Sequence, residues 1–226
     1  MLKPFEQLDK PFQNQRVREY YDLLCTKKAS LFVKRIFDIV VSLILIVLLS
    51  PVLIALSLWI AADSKGGVMF RQTRVTSYGK EFKIFKFRTM VKDAASLGAS
   101  VTVGDDPRIT RVGKKIRKYR LDEIPQLFNV LLGDMSFVGT RPEVPKYVER
   151  YTEEMYATLL MPAGLTSLAS IMFKDEDKLL NGSENPDEVY VNEVLPKKMA
   201  YNLEYIKNFS FWKDIALCFK TIKEVF

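Results

Sequence analysis

The stretch IVVSLILIVLLSPVLIALSLWIAA, residues 39–62, contains no charged residue and is the strongest shift in composition along the chain. A helix needs about 20 mostly apolar residues to cross a hydrocarbon core, and this run is slightly longer. Because it lies behind a long polar N-terminal stretch and is too long for a signal-peptide core, a cleaved signal peptide is not expected. The stretch therefore predicts a membrane segment.

The dipeptide Ser50-Pro51 divides this run into two apolar halves of 11 residues, 39–49 and 52–62. Each half would be about 16 Å long as a helix, which reaches only partway through a bilayer. Proline removes one helical hydrogen bond and clashes with the preceding turn, so a sharp bend is expected here. The Ser50 hydroxyl is expected to help satisfy a carbonyl that the proline leaves free.

Basic residues flank the run on both sides: Lys27, Lys28, Lys34 and Arg35 before it, and Lys65, Arg71, Arg74, Lys80 and Lys83 after it. Lys and Arg near membrane segments tend to stay on the cytoplasmic side. A re-entrant helix that bends at Ser50-Pro51 would keep both flanks in the cytosol, whereas a kinked single-pass helix would place one flank outside. These residues alone leave both topologies open.

Composition limits the chemistry. With 226 residues the chain fits one domain, and its formal charge of +7 suggests nucleic acid, anionic lipid or a phosphorylated ligand as a partner. Cys25 and Cys218 are far apart and form no CxxC motif, so no zinc site or disulfide framework is indicated. Since the chain has no histidine, a Ser-His triad, a histidine base and a histidine-bound metal are excluded.

The stretch VMFRQTRVTSYGKEFKIFKFRTM, residues 68–90, predicts two strands joined by a turn at Tyr78-Gly79. Lys86 and Arg88 fall on one face of the second strand because side chains alternate along a strand. Such a pair is either a solvated sheet edge or part of a cationic site.

The stretch LDEIPQLFNVLLGDMSFVGTRPE, residues 121–143, begins with two adjacent carboxylates, Asp122 and Glu123. Apolar residues at helical spacing predict helix between Lys114 and Leu132, with the pair off the apolar stripe. Pro125 is best tolerated in a first helical turn, so a helix is expected to begin near the pair.

An acidic pair at a helix N-terminus often only complements the helix dipole. Here Arg117 precedes the pair, and Arg141 follows in the turn-like GTRPE stretch, from which a guanidinium can bind phosphate oxygens. Two carboxylates in one cleft can divide the work of a nucleophile and a magnesium ligand. The pattern therefore favours phosphoryl chemistry without histidine.

These stretches, in this order, resemble the monotopic phosphoglycosyl transferases, also called bacterial sugar transferases, over residues 34–226. A lone Asp-Glu pair would be uninformative, but such a long ordered series is specific. The resemblance is carried by KRIFDIVVSLILIVLLSPVLI, FKIFKFRTM, DPRITRVGKKIRKYRLDEIPQLFNVLLGDMSFVGTRPE, GLTSLAS and YIKNFSFWKDIALCFKTI.

The resemblance implies a two-step transfer. Asp122 would attack the β-phosphate of a UDP-sugar, release UMP and carry the phosphosugar. A polyprenyl phosphate, typically undecaprenyl phosphate, would then take the phosphosugar. Mg²⁺ would be held by Glu123, with Asp122 beside it. The residues assigned to phosphate or nucleotide binding are Lys86, Arg88, Arg117, Arg141 and Pro142.

The resemblance also implies the architecture: an α/β-class protein, mostly helical with a small β element, monotopic and with a re-entrant helix-break-helix hairpin at Ser50-Pro51. The expected organisation is an N-terminal surface segment (1–33), a re-entrant membrane helix (34–63) and a cytosolic catalytic domain (64–226). The last part would end in an amphipathic interfacial helix, with Phe211 and Phe219 among its apolar residues.

The expected location is the cytoplasmic face of a bacterial plasma membrane, in the first membrane step of glycoconjugate assembly. The expected partners are a UDP-sugar, a polyprenyl phosphate and membrane lipids, but not nucleic acid. A homo-oligomer is left open. Two other functions also stay open: a membrane-anchored polyprenyl-diphosphate hydrolase and a non-catalytic membrane scaffold.

The chain departs from the family pattern at two places. Thr140 stands where the family usually has a proline before the arginine of its PRP-like motif. The family's GRN-type segment after the GxT motif is missing, and an acidic, polar stretch at residues 174–188 takes its place. Sugar preference is expected to lie in this variable part.

Overall fold

The computed structural model describes residues 2–94, 106–173 and 185–225. These residues form a mostly helical fold with two small sheets, as expected. The helices are α1 (Gln15–Cys25), α2 (Lys28–Asp63), α3 (Arg111–Lys118), α4 (Gln126–Leu132), α5 (Pro145–Val148), α6 (Leu168–Met172), α7 (Pro186–Val189), α8 (Leu195–Lys207) and α9 (Phe211–Val225). The strands are β1 (Met69–Val75), β2 (Glu81–Phe87), β3 (Met135–Val138) and β4 (Ala163–Thr166).

Strands β1 and β2 form an antiparallel hairpin, with Val75 opposite Glu81 next to the turn. The predicted turn at Tyr78-Gly79 is confirmed: both residues have positive φ angles, 58° and 74°. This conformation is easy for glycine and uncommon for tyrosine. Strands β3 and β4 pair in parallel and form the second sheet.

Helix α2 contains the apolar run and extends over 36 residues with Pro51 inside it. The Ser50 hydroxyl donates to the carbonyl of Val47 at 2.8 Å. Val47 is four residues before Pro51, so its carbonyl is the one that the proline cannot bind. The predicted role of Ser50 is thus confirmed. In the described part of the chain, α2 is long and apolar enough to cross a membrane.

Both halves of α2 are tied to the rest of the fold. In the first half, the buried Lys34 ammonium donates to the Val138 carbonyl at 2.8 Å and to the Asp214 carboxylate at 2.5 Å. At the end of the second half, Asp63 accepts a hydrogen bond from the backbone N–H of Val112 at 3.0 Å. Large apolar side chains between these anchors are exposed: Leu43, Ile44, Val47, Leu48, Val52, Ile54, Leu58 and Trp59.

The N-terminal segment packs against the core through one face of α1. Val17, Tyr20 and Leu24 of this helix are buried. The Tyr20 hydroxyl also donates to the Glu154 carboxylate at 2.6 Å, and Asn14 caps the helix by accepting from the N–H of Val17. This segment is therefore a surface helix whose inner face belongs to the largest apolar cluster.

Helix α9 is amphipathic, with a buried charged residue on its inner face and large apolar residues on its exposed face. Asp214 is buried because Lys34 and the Tyr205 hydroxyl both bind its carboxylate. Trp212 and Phe219 are exposed, at 76% and 70%. An apolar stripe of α9 thus faces outward next to α2, while a buried ion pair holds its inner face. Much of the predicted acidic stretch 174–188 lies outside the described residues, which resume at residue 185.

Candidate active site

Asp122 and Glu123 lie on a tight turn between two helices. The 3-10 turn Leu121–Glu123 separates α3 from α4, so the helical pattern expected from residue 114 to 132 is interrupted. Arg120 adopts a left-handed conformation (φ 52°), which costs a non-glycine residue about 1–3 kcal/mol. The predicted helix begins after Pro125, at Gln126. The strained backbone gives the acidic pair a fixed place outside both helices.

Glu123 is the centre of a charged cluster. Its Oε1 atom accepts hydrogen bonds from Lys86 Nζ at 2.8 Å and from Arg141 Nη2 at 2.7 Å. Burial alone would raise the pKa of Glu123, but the charges and hydrogen bonds of Arg141 and Lys86 outweigh burial and hold this pKa well below its ordinary value. Glu123 is therefore a fixed anion at neutral pH.

The carboxyl of Asp122 has a different environment. Burial raises its pKa and the charge of Glu123 adds to the rise, while Lys86 and Arg117 oppose it. Two adjacent carboxylates thus have pKa values that shift in opposite directions, an arrangement typical of groups with separate chemical roles. Asp122 is the more basic anion of the pair, and Glu123 is the one held by cations.

Lys86 reaches Glu123 because β2 is fastened to α4. The side chain of Asn129 on α4 accepts from the N–H of Phe85 at 2.9 Å and donates to the carbonyl of Lys83 at 3.0 Å. These two bonds fix the register of β2 against the helix that follows the acidic pair. Burial lowers the pKa of Lys86, and the neighbouring Glu123 opposes this shift.

Arg141 is positioned by the second sheet. The N–H of Gly139 donates to the carbonyl of Thr166 at 3.0 Å, and the N–H of Gly164 donates to the carbonyl of Thr140 at 2.8 Å. A Cβ atom on Gly164 would lie 2.2 Å from backbone atoms of Gly139, so only glycine allows this approach. The GLTSLAS and GTRPE stretches are thereby joined immediately before Arg141.

Two other cations predicted at the site have different surroundings. Arg117 lies in the last turn of α3, close enough to lower the pKa of Asp122. Arg88 follows β2, and its guanidinium donates to the carbonyls of Ser64 and Lys65 beyond the end of α2. The structure thus brings Arg117 towards the acidic pair and joins Arg88 to the C-terminal end of α2, where a cation complements the helix dipole.

Pro142 is buried, and its carbonyl accepts a hydrogen bond from Arg74 Nη1 at 3.0 Å. From the sequence, Arg74 is only one of several basic residues after the apolar run. Its guanidinium is also close enough to interact with Glu143, Arg141 and Glu123. One sequence signal could have singled out Arg74: it lies two residues after Gln72, so both side chains share one face of the predicted strand. In the structure the Gln72 side chain accepts hydrogen bonds from the Arg74 guanidinium.

The acidic pair also suits a hard cation. Mg²⁺ commonly takes one or two carboxylates and completes its shell with water and substrate phosphate oxygens. Oε1 of Glu123 is engaged by two cations, so Oε2 is the oxygen that this residue would offer, with Asp122 next to it. The described residues contain no group of three or more acidic or thiol ligands. The donor set therefore fits a cation bound jointly by protein and substrate.

Comparisons with known proteins identify the family of the chain. The sequence model of the family described as "Bacterial sugar transferase" matches residues 29–226. The UDP-N-acetylgalactosamine-undecaprenyl-phosphate N-acetylgalactosaminephosphotransferase of Aeromonas hydrophila is 38% identical over 198 residues, covering 86% of this chain and 44% of that protein. The undecaprenyl-phosphate glucose phosphotransferase of Komagataeibacter xylinus is 39% identical over 201 residues, covering 85% of this chain and 36% of that protein.

A shorter relative is covered more fully. The UDP-glucose:undecaprenyl-phosphate glucose-1-phosphate transferase of Caulobacter vibrioides is 36% identical over 193 residues, covering 84% of this chain and 68% of that protein. By contrast, the chain spans less than half the length of the Aeromonas and Komagataeibacter proteins. The family match includes all of α2 but its first residue, the acidic pair, the GTRPE stretch and α9. The chain belongs to the bacterial sugar transferase family.

Proposed function

We propose that the protein is a phosphoglycosyl transferase that moves a sugar 1-phosphate from a UDP-sugar to undecaprenyl phosphate. The substrate classes are those in the names of the relatives. The observation that carries the proposal is the contrast between adjacent carboxylates: Glu123 is bound by Lys86 and Arg141, while burial makes Asp122 more basic.

In the first step, an oxygen of the Asp122 carboxylate attacks the β-phosphorus of the UDP-sugar. The new bond joins this oxygen to phosphorus, and the bond from the β-phosphorus to the oxygen bridging the two phosphates breaks. UMP leaves with the bridging oxygen and its electron pair. No general base is needed because the nucleophile is already an anion above its pKa, which explains how a chain without histidine can run this reaction.

In the second step, a phosphate oxygen of the polyprenyl phosphate attacks the same phosphorus. The bond between phosphorus and Asp122 breaks, which restores the carboxylate and releases polyprenyl diphosphate-sugar. Lys86, Arg117 and Arg141 would stabilise the negative charge on the phosphate oxygens in both steps. Glu123 would hold Lys86 and Arg141 in place for this role.

We further propose Mg²⁺ as the cofactor, bound by Glu123 with Asp122 beside it. When bound, the ion would neutralise diphosphate charge and stabilise the leaving UMP. Asp122 and Glu123 supply the two carboxylates that such a site commonly uses, and the substrate phosphates supply the other oxygens.

For the membrane segment we propose the re-entrant topology. The contacts of Lys34 with Val138 and Asp214, and of Asp63 with Val112, support it, because both ends of α2 dock on one domain that cannot lie on both sides of a bilayer. The basic residues on both sides of the apolar run also support the re-entrant topology. The exposed stripe of α9 would lie in the interface of the cytoplasmic leaflet of a bacterial plasma membrane.

The function is tested by offering the purified protein a panel of UDP-sugars with undecaprenyl phosphate and magnesium. UDP-glucose and UDP-N-acetylgalactosamine belong in the panel because they appear in the names of relatives. We expect equal amounts of UMP and lipid-linked sugar from at least one donor. A parallel reaction offers polyprenyl diphosphate alone, and release of inorganic phosphate from it, with no transfer from any UDP-sugar in the panel, would support a hydrolase instead. No reaction with any donor would favour a non-catalytic scaffold.

Topology is tested by thiol labelling in cells with a permeable outer layer. Single cysteines are introduced at the exposed positions Ala29 and Lys65, in a protein whose Cys25 and Cys218 are replaced by serine. Both should resist a membrane-impermeant reagent and react after lysis, since both flanks are proposed to be cytosolic. A periplasmic cysteine reporter in the same cells serves as the positive control. Labelling of position 29 or 65 from outside would establish a single-pass helix.

A further inference from the structure

Glu143 is a buried acid two residues after Arg141, and its carboxylate belongs to a second charged network. Its Oε1 atom accepts a hydrogen bond from the Tyr190 hydroxyl at 2.5 Å and lies 3.5 Å from Lys198 Nζ. Lys198 also donates to the Tyr190 hydroxyl at 2.9 Å. The three residues are 6%, 3% and 5% exposed, so the whole network is shielded from water.

This network meets the active site through Arg74. Burial lowers the pKa of Arg74, the charge of Glu143 opposes this shift and that of Arg141 adds to it, so both charges act on the Arg74 guanidinium. Arg74 also holds the carbonyl of Pro142, the residue between Arg141 and Glu143. Val75 follows Arg74 in β1, and its N–H donates a hydrogen bond to the carbonyl of Glu143. The backbone that follows Arg141 is therefore fixed at two successive carbonyls, those of Pro142 and Glu143.

The charges explain why an acid is needed here. Arg74 and Arg141 are two half-buried guanidinium groups close enough to interact, and their like charges repel each other more strongly there than in bulk water. Glu123 balances Arg141 on one side, and Glu143 balances Arg74 on the other. Without the charge of Glu143, Arg74 would repel Arg141 away from the position in which it binds Glu123.

Stability alone does not account for this network. Burying ion pairs costs desolvation energy that their attraction often fails to recover, so an apolar cluster would serve a purely structural purpose as well. Tyr190 also begins a five-residue π-helical segment, Tyr190–Val194, and π-helical turns are frequent at functional sites.

We infer that Glu143, held by Tyr190 and Lys198, is a positioning residue that orients Arg141 towards the reacting phosphate. This inference rests on the proposed transferase function. It gives the chain after residue 185 a role in catalysis, although none of these three side chains is placed against Asp122. Glu143 acts on Arg141 through Arg74 and through the rigid Pro142.

Tyr190→Phe is the primary test, and Tyr147→Phe is its matched control. The two rings contact each other with centroids 4.6 Å apart and planes tilted by 37°. Each hydroxyl donates to a carboxylate at 2.5 Å: Tyr190 to Glu143 and Tyr147 to Asp187. Tyr190→Phe should lower kcat/KM for UMP release by about tenfold, the effect expected for a lost hydrogen bond to a charged group. Tyr147→Phe should stay within about twofold of the parent protein, with a similar melting temperature.

A double-mutant cycle distinguishes positioning from simple loss of stability. In an Arg141→Lys background, where the guanidinium is already absent, Tyr190→Phe should lower kcat/KM by less than about twofold. The same tenfold loss in both backgrounds, or an equal loss in Tyr147→Phe, would overturn the inference. The inference would also be overturned if Arg141→Lys lost activity while Tyr190→Phe, made in the parent protein, kept full activity. A parent protein that releases no UMP would instead contradict the proposed function.

Discussion

Replacing Asp122 by Asn should reduce UMP release by about 10⁴-fold or more, the scale seen when a covalent nucleophile is removed. Asparagine keeps the size of the side chain but lacks the anionic oxygen that attacks phosphorus. The measurement is steady-state UMP release with the preferred UDP-sugar, undecaprenyl phosphate and magnesium.

The folded state of this variant should be at least as stable as that of the parent protein. Burial raises the pKa of Asp122, so its charged form is disfavoured in the folded protein, and stability is lost as pH rises from the ordinary value of the carboxyl through the raised one. A neutral amide removes this penalty at neutral pH. A melting temperature equal to or above that of the parent at pH 7, together with lost activity, is the expected result.

Glu123→Gln provides the contrast. The pKa of Glu123 is depressed, so its charge contributes stability above the pKa of the unfolded state, and this stability is lost as pH falls through the folded value. At pH 7 its removal leaves Lys86 and Arg141 without their shared anion. Glu123→Gln should therefore lower the melting temperature, whereas Asp122→Asn should not. Normal turnover in a folded Asp122→Asn protein would contradict the chemistry.

Withdrawal of divalent metal should stop the reaction almost completely. Exhaustive chelation removes the ion that Asp122 and Glu123 are proposed to bind with the diphosphate, and added Mg²⁺ should restore UMP release. The control is the same chelator saturated with Mg²⁺, which should leave the rate unchanged. If activity persists after chelation of protein, substrates and buffer, Glu123 has only its second role, as the anion between Lys86 and Arg141.

Local patterns predicted much of the scaffold. The turn at Tyr78-Gly79 is confirmed because glycine and alternation are local signals. The bond from Ser50 to the carbonyl of Val47 is confirmed because the missing donor of Pro51 dictates which carbonyl is left free. In both cases the deciding contact spans only a few residues.

Helix boundaries around the acidic pair were harder to predict. A helical apolar pattern continues from α3 into α4, but Arg120 takes a left-handed conformation and breaks it. Arginine has no intrinsic preference for that conformation, so tertiary contacts enforce it. The turn that follows Arg120 is held by the hydrogen bonds of Glu123 to Lys86 and Arg141, residues 37 and 18 positions away in the chain.

Buried polar contacts between residues far apart in the chain could not be predicted from the sequence. Asp214 is a charged residue of the predicted amphipathic helix, yet it is buried because Lys34, 180 residues earlier in the chain, binds its carboxylate. Glu143 and Tyr190 are likewise 47 residues apart. A sequence shows that such residues can ionise or donate, but only the fold shows which partner each one meets.

The central claim is a covalent bond between Asp122 and the phosphosugar. The most direct measurement is the intact mass of the purified protein after incubation with its UDP-sugar and Mg²⁺, but without polyprenyl phosphate. We predict a mass increase of one phosphosugar, located on the peptide containing Asp122, with an equivalent amount of UMP, and loss of the adduct when undecaprenyl phosphate is added. An unmodified protein that forms lipid-linked sugar only when both substrates are present would indicate direct transfer and contradict the covalent mechanism.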